Sequence, residues 1–184
     1  QLALSSLNEL TATGKRKHVG ALQLELKAQQ QARNWDGVLA AVSQLEKRSA
    51  IAEVVATQLR QQAWLEKLRV PNQDLKTLQA LWKSIPDEFR QRPEIAALAA
   101  DNFIKFRDCR SAQKLLTDSL NKQWDSKLVT MFGDCQGADN MGQIEQAEAW
   151  LQTHTNDAGL LLALGKLCLH HGLWGKAQNY LDAS

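Results

Sequence analysis

The carboxyl-terminal run Gly159-Leu-Leu-Leu-Ala-Leu-Gly-Lys-Leu-Cys-Leu-His-His-Gly-Leu-Trp-Gly-Lys-Ala-Gln-Asn-Tyr-Leu-Asp-Ala-Ser184 reads as two helices joined by a turn. Leu161, Leu164, Gly165 and Cys168 recur at intervals of three, one and three, which places them on one helical stripe with the small Gly165 where a second helix can approach. Gly172 ends that helix. Trp174, Ala177 and Leu181 follow at intervals of three and four, so a second apolar stripe begins at once and is buried by folding back on the first. Gly165 and Ala177 are the expected close-approach points. A hairpin of this size cannot bury its faces alone, and more of them are expected upstream.

Leu4, Leu7 and Leu10 mark a remnant helix of a preceding repeat within 1–14, with Thr11 to Lys17 as the turn after it. Further hairpins fall at 18–48, 50–85, 93–122 and 124–155, ahead of the one at 156–184. Asn34 is the expected cap of the helix that starts at Trp35, and Pro86 and Pro93 bracket a linker containing Phe89. Aligning the close-contact position early in each second helix gives Val38, Leu75, Ala112, Ala147 and Ala177, at intervals of 37, 37, 35 and 30. These bracket the roughly 34-residue period of the tetratricopeptide repeat, which the pattern of large and small residues resembles. The expected fold is all-α, a right-handed α-α superhelix of about five tetratricopeptide-like hairpins in a single domain, 1–184.

Composition removes other classes. Hydrophobic residues are 44% and charged residues 23% of the 184, with only 3 prolines and 10 glycines, so the chain is globular with little room for long loops. Basic and acidic groups number 22 and 20, too balanced for a nucleic-acid footprint. Cys109, Cys135 and Cys168 are odd in number and lack zinc spacing, which favours free thiols used as small core residues in a reducing compartment. No apolar run reaches the roughly 18 residues of a membrane span. The sequence opens on Gln1 rather than Met and stops within an amphipathic pattern, so a fragment of a longer protein is expected. The Lys15-Arg16-Lys17-His18 run reads as a solvated cluster beside the first turn.

From Trp124 the chain reads Trp124-Asp125, Leu128-Val129, Phe132-Gly133, Gln146-Ala147-Glu148, Trp150-Leu151, His154 and Asp157, then Leu160 to Cys168 and Leu173 to Ala177 with Tyr180-Leu181. This resembles the carboxyl-terminal region of the HemY-type proteins encoded with haem biosynthesis genes in proteobacteria. The resemblance is specific over 124–184 and diffuse from Ala21 to Lys122, where Trp35-Asp36 and Leu81-Trp82 also fit. It implies a parent protein held in the bacterial inner membrane by amino-terminal helices that this chain lacks. It further implies a cytoplasmic repeat domain and an association with a late step of protohaem formation. The family brings no established catalytic residues.

Enzyme signatures such as G-x-G-x-x-G, G-x-x-x-x-G-K-[ST], G-x-S-x-G and H-E-x-x-H are missing, so no catalytic or metal residues are expected. His170 and His171 after Cys168 are the haem-ligand candidates, because imidazole and thiolate bind haem iron axially; histidines at a helix end equally suit its dipole. Trp35 and Trp174 share a repeat position and are read as packing residues, as are Trp82, Trp124 and Trp150 near hairpin junctions. Trp64, flanked by Arg60 and Lys67 a turn away on either side, falls where a first helix faces the concave groove, and competes between a peptide or porphyrin contact and a core role. Glu94, Asp101, Lys105, Lys127, Asp134 and Lys166 are further groove-facing candidates of mixed sign. The Lys and Asn set that clamps a terminal carboxylate in chaperone-binding repeats is not among them.

The expected function is a non-catalytic protein-protein interaction scaffold without a cofactor, with other proteins, including haem-biosynthesis enzymes, as partners. The alternative is a porphyrin-binding, haem-binding or catalytic component of the haem pathway. Leu4, Leu7 and Leu10 at one end and Leu181 at the other are expected to leave sticky faces and a dimer that depends on where the chain is cut.

Overall fold

The computed structural model describes residues 15–71, 74–135 and 140–184. Among them are eleven helices and no strand. They are α1 (Lys15–Gln31), α2 (Trp35–Lys47), α3 (Glu53–Arg69), α4 (Leu75–Ser84), α5 (Asp87–Arg90), α6 (Pro93–Lys105), α7 (Cys109–Leu120), α8 (Ser126–Asp134), α9 (Asn140–Leu151), α10 (Ala158–His170) and α11 (Trp174–Asp182). The remnant helix expected at 1–14 lies outside the described residues. The Lys15 to His18 run, expected beside a turn, instead forms the first turn of α1.

The chain divides into two compact units between Val70 and Pro71. That boundary falls inside the hairpin expected at 50–85. In the first unit α2 packs on both α1 and α3. Their shared core is Leu22 and Leu26 of α1, Val38, Ala41, Val42 and Leu45 of α2, and Ala56 and Ala63 of α3, with Trp35 partly buried against it.

In the second unit the first helices α6, α8 and α10 pack in sequence, α8 touching both neighbours. Second helices fill the gaps: α7 packs on α6 and α8, α9 on α10, and α11 on α10. Neighbouring helices thus cover one another's apolar stripes, which is how a helical repeat builds a continuous core. The expected linker between Pro86 and Pro93 contains the single helical turn α5, whose Phe89 is fully buried.

Local chemistry repeats with the architecture. Asn34, Asp74, Asp108, Asp125 and Asp157 each accept a backbone N–H in the first turn of the helix that follows, satisfying donors that the helix itself cannot. At the other ends, Arg33, Ser49, Arg107 and Gly172 take positive φ. The next residue then bonds back to the last turn: Asn34 to Gln29, Ala50 to Leu45, Asp108 to Phe103 and Leu173 to Cys168, each N–H to carbonyl at 2.9 Å.

Small residues sit where helices come closest. A Cβ added at Gly165 would lie 2.5 Å from Leu181 Cδ2 and 3.6 Å from the Ala177 carbonyl oxygen, so Gly165 faces α11 as expected. Leu181 lies on that glycine instead of standing uncovered. Val38, Ala112, Ala147 and Ala177 are all buried, but Leu75 is half-exposed and the buried contact of α4 is Leu78. Ala177→Leu places three carbons against α10 and, because Leu181 can swing partly aside, should cost roughly 1–2 kcal/mol. A melting temperature equal to that of the parent chain would reject the α10 to α11 contact.

Candidate interaction surfaces

The first unit holds an open, mostly apolar groove of about 320 Å³ between α1 and α3, floored by the end of α2. Leu24, Leu26, Leu45, Ile51, Val55 and Leu59 line it, with Lys27, Gln23 and Gln30 at its polar edge. Leu24 is 61% exposed and Val55 45%, unusual for such side chains on a folded surface. Leu24 is out of phase with Leu22 and Leu26, which point into the core, so α1 carries apolar groups on two faces.

The candidates on α3 are Arg60, Trp64 and Lys67, and Trp64 takes the core alternative. Trp64 is 8% exposed, and its Nε1 is buried without a hydrogen-bond partner. Lys67 Nζ lies 5.1 Å from the Trp64 ring centre and pairs with Asp36 of α2 at 2.5 Å. Arg60 binds Glu46 of α2 through both terminal nitrogens, one of them at 2.8 Å. Arg60 and Lys67 therefore tie α3 to opposite ends of α2, and neither they nor Trp64 line the open groove.

In the second unit Asp134 of α8 and Lys166 of α10 come together as an ion pair at 2.6 Å, linking adjacent first helices. Asp101 and Lys105 pair within α6 at 2.6 Å. Glu94 and Lys127 are exposed in the first turns of α6 and α8. Exposed pairs of this kind add little stability and leave a mixed-charge surface. The haem-ligand candidates do not converge: Cys168 is fully buried, its thiol pushed up by that burial, while His170 is exposed and His171 caps α10 through its backbone. No cluster of three metal-ligating side chains occurs among the described residues.

The aromatic residues of the fourth hairpin form one cluster. The Trp124 ring stacks on His154 with ring centres 3.7 Å apart and meets Trp150 edge-on at 5.7 Å, and Phe132 meets Trp150 at 5.0 Å. Trp124 Nε1 donates to Asp157 at 2.9 Å, and Ser126 Oγ also donates to that carboxylate. Burial alone would raise the Asp157 carboxyl, but bonds from Ser126, Trp124 and the Leu160 and Gly159 N–H groups outweigh it and hold it below the usual carboxylate range. Trp174, expected to pack like Trp35, is instead 69% exposed.

A second, polar cleft of about 410 Å³ lies between α7 and α9, lined by Arg110, Gln113, Lys114 and Gln146 above a buried Gln143. Gln143 Nε2 donates to the carbonyl oxygens of Phe132 at 2.5 Å and Cys135 at 2.9 Å. Neither cavity was visible in the sequence as a motif. The usable signals were the phase error of Leu24 and a glutamine, Gln143, inside an apolar stripe.

No helix among the described residues is long and apolar enough to cross a membrane. No family model matches the chain, and no solved structure does. The chain is similar to Protein HemY of Escherichia coli strain K12, at 25% identity over 165 residues, or 88% of this chain and 41% of that protein. The same figures hold for Protein HemY of Escherichia coli O157:H7 and of Shigella flexneri. The chain thus spans about two fifths of the length of the curated relatives it matches, and its relation to them is a HemY-like one.

Proposed function

We propose that this chain is a non-catalytic helical-repeat scaffold that binds another protein through the apolar groove of its first unit, within a protein associated with haem biosynthesis. The observation that carries this reading is the groove itself, where Leu24 and Val55 stay exposed beside a preformed apolar floor. An amphipathic helix or extended segment laid there would bury that surface without rearranging the core. The likeness to Protein HemY supports the haem association, and the HemY-type resemblance extends it to the cytoplasmic part of an inner-membrane protein with haem-pathway enzymes as partners.

A photoreactive residue at Leu24, introduced in the native host, is expected to give an adduct with a discrete polypeptide that is lost when Leu59→Asp polarises the floor. An identical adduct from a probe at exposed Arg107 would sink the groove reading. Titration with haem and with protoporphyrin tests the rival: a Soret shift that disappears when His170→Ala is combined with His171→Ala would replace the scaffold by a porphyrin-binding function.

A further inference from the structure

Cys109 and Cys135 are 26 positions apart, yet the fold sets them against each other. Cys109 is the first residue of α7 and Cys135 the residue that closes α8. The Cys135 thiol donates to the Cys109 carbonyl oxygen at 3.6 Å, and it also lies within hydrogen-bonding reach of the Cys109 side chain. Their accessibility differs: Cys135 is fully buried, whereas Cys109 is half-exposed. Cys168 stands apart in α10, where it is buried.

The backbone at Cys135 is also a structural junction. Its carbonyl oxygen accepts from Gln113 Nε2 of α7 and from Gln143 Nε2 of α9, both at 2.9 Å. Both glutamines line the polar cleft between those helices. Any displacement of Cys135 is therefore passed to two residues of the cleft at once. We propose that Cys109 and Cys135 are a reversible thiol–disulfide pair whose oxidation by a peroxide resets the floor of the cleft between α7 and α9.

The chemistry balances with hydrogen peroxide as oxidant. The half-exposed Cys109 sulfur attacks one peroxide oxygen; an S–O bond forms, the O–O bond breaks, and the other oxygen leaves as water after taking up the proton that the Cys109 thiol gives up. The Cys135 sulfur then attacks the Cys109 sulfenic acid. An S–S bond forms, the S–O bond breaks, and the hydroxide leaves as a second water with the Cys135 proton. Two thiols lose two electrons and the peroxide gains them; a dithiol reductant reverses the change. Burial first, and then the Cys109 side chain and Asp108, push the Cys135 thiol up, so it enters the second step as a thiol and brings its own proton.

The test uses the reduced 184-residue chain treated with hydrogen peroxide, followed by thiol counting in denaturant and peptide mass mapping. The expected result is loss of two of the 3 thiols with Cys109 linked to Cys135, recovery with dithiothreitol, and altered hydrogen exchange around Gln113 and Gln143. Cys168→Ser should leave that outcome intact, and Cys109→Ser should abolish it. Cys109 driven to sulfinic acid without a crosslink, or a link to Cys168, overturns the pairing. A correct disulfide with unchanged exchange at both glutamines overturns the coupling to the cleft. Because Cys109 is half-exposed, its serine variant is expected to melt with the parent, which keeps the comparison valid if Cys135→Ser fails to fold.

Discussion

Gly133→Val should unfold the second unit well below the parent melting temperature, at a cost of about 3 kcal/mol, the upper part of the range for overpacking. Gly133 lies on α8 against α10, where a Cβ would meet Ala163 Cβ at 2.7 Å and Ala163 Cα at 2.8 Å. The second of these is backbone, which cannot rotate away, so relief requires the two helices to separate. A helical glycine normally gains about 1 kcal/mol when replaced by alanine, yet even Gly133→Ala should lose stability because the steric conflict exceeds that gain. Gly175 in α11 is the control: open space surrounds it, so Gly175→Ala should be neutral or stabilising. Circular dichroism melts with hydrogen exchange across α8 and α10 decide the matter. A Gly133→Val chain melting with the parent would mean that α8 and α10 do not meet at this point.

Gly133 carries no reading as a close-contact point in the sequence, whereas other small residues do. Small residues inside bulky stripes mark close helix contacts, and Gly165 and Ala177 carry that mark within a single hairpin, where register is unambiguous. Register does not carry across the connection near Pro71, where the units divide, so the buried contact of α4 is not Leu75 but Leu78, three residues later. Gly172 revealed a helix stop through its identity, whereas Arg33, Ser49 and Arg107 close helices with the same left-handed backbone and carry no such mark. The backbone angles and hydrogen bonds of the folded chain expose that fourfold repetition.

Surface chemistry was less legible than packing. Periodicity alone does not tell a side chain facing a groove from one facing the neighbouring helix, and it does not reveal that Arg60 and Lys67 pair with Glu46 and Asp36 of α2. Trp174 kept its repeat position but is exposed, since a repeat position specifies where a side chain starts and not what covers it. The Cys109 and Cys135 contact joins residues of different hairpins, and spacing rules for cysteine do not detect it.

Asp157→Ala should be comparably damaging, by about 2–4 kcal/mol, because one carboxylate serves four groups, Ser126, Trp124 and the Leu160 and Gly159 N–H groups. It caps α10 by accepting the Leu160 N–H at 2.9 Å, a role ordinarily worth about 0.5–2 kcal/mol. It also accepts from Ser126 and from Trp124, whose half-buried indole N–H would lose its partner at a further cost of about 1–3 kcal/mol. The same bonds predict the pH response. The folded carboxyl is held below its usual value, so its contribution is fully present above the unfolded pKa of about 3.9 and is lost as pH falls through the lower folded value. Asp157→Asn, which keeps an acceptor but cannot titrate, should therefore melt below the parent chain at pH 7, and the gap should narrow as the pH is taken below about 4. A gap that stays constant from pH 7 to pH 3 would show that the Asp157 charge does not hold Trp124, Ser126 and the start of α10 together.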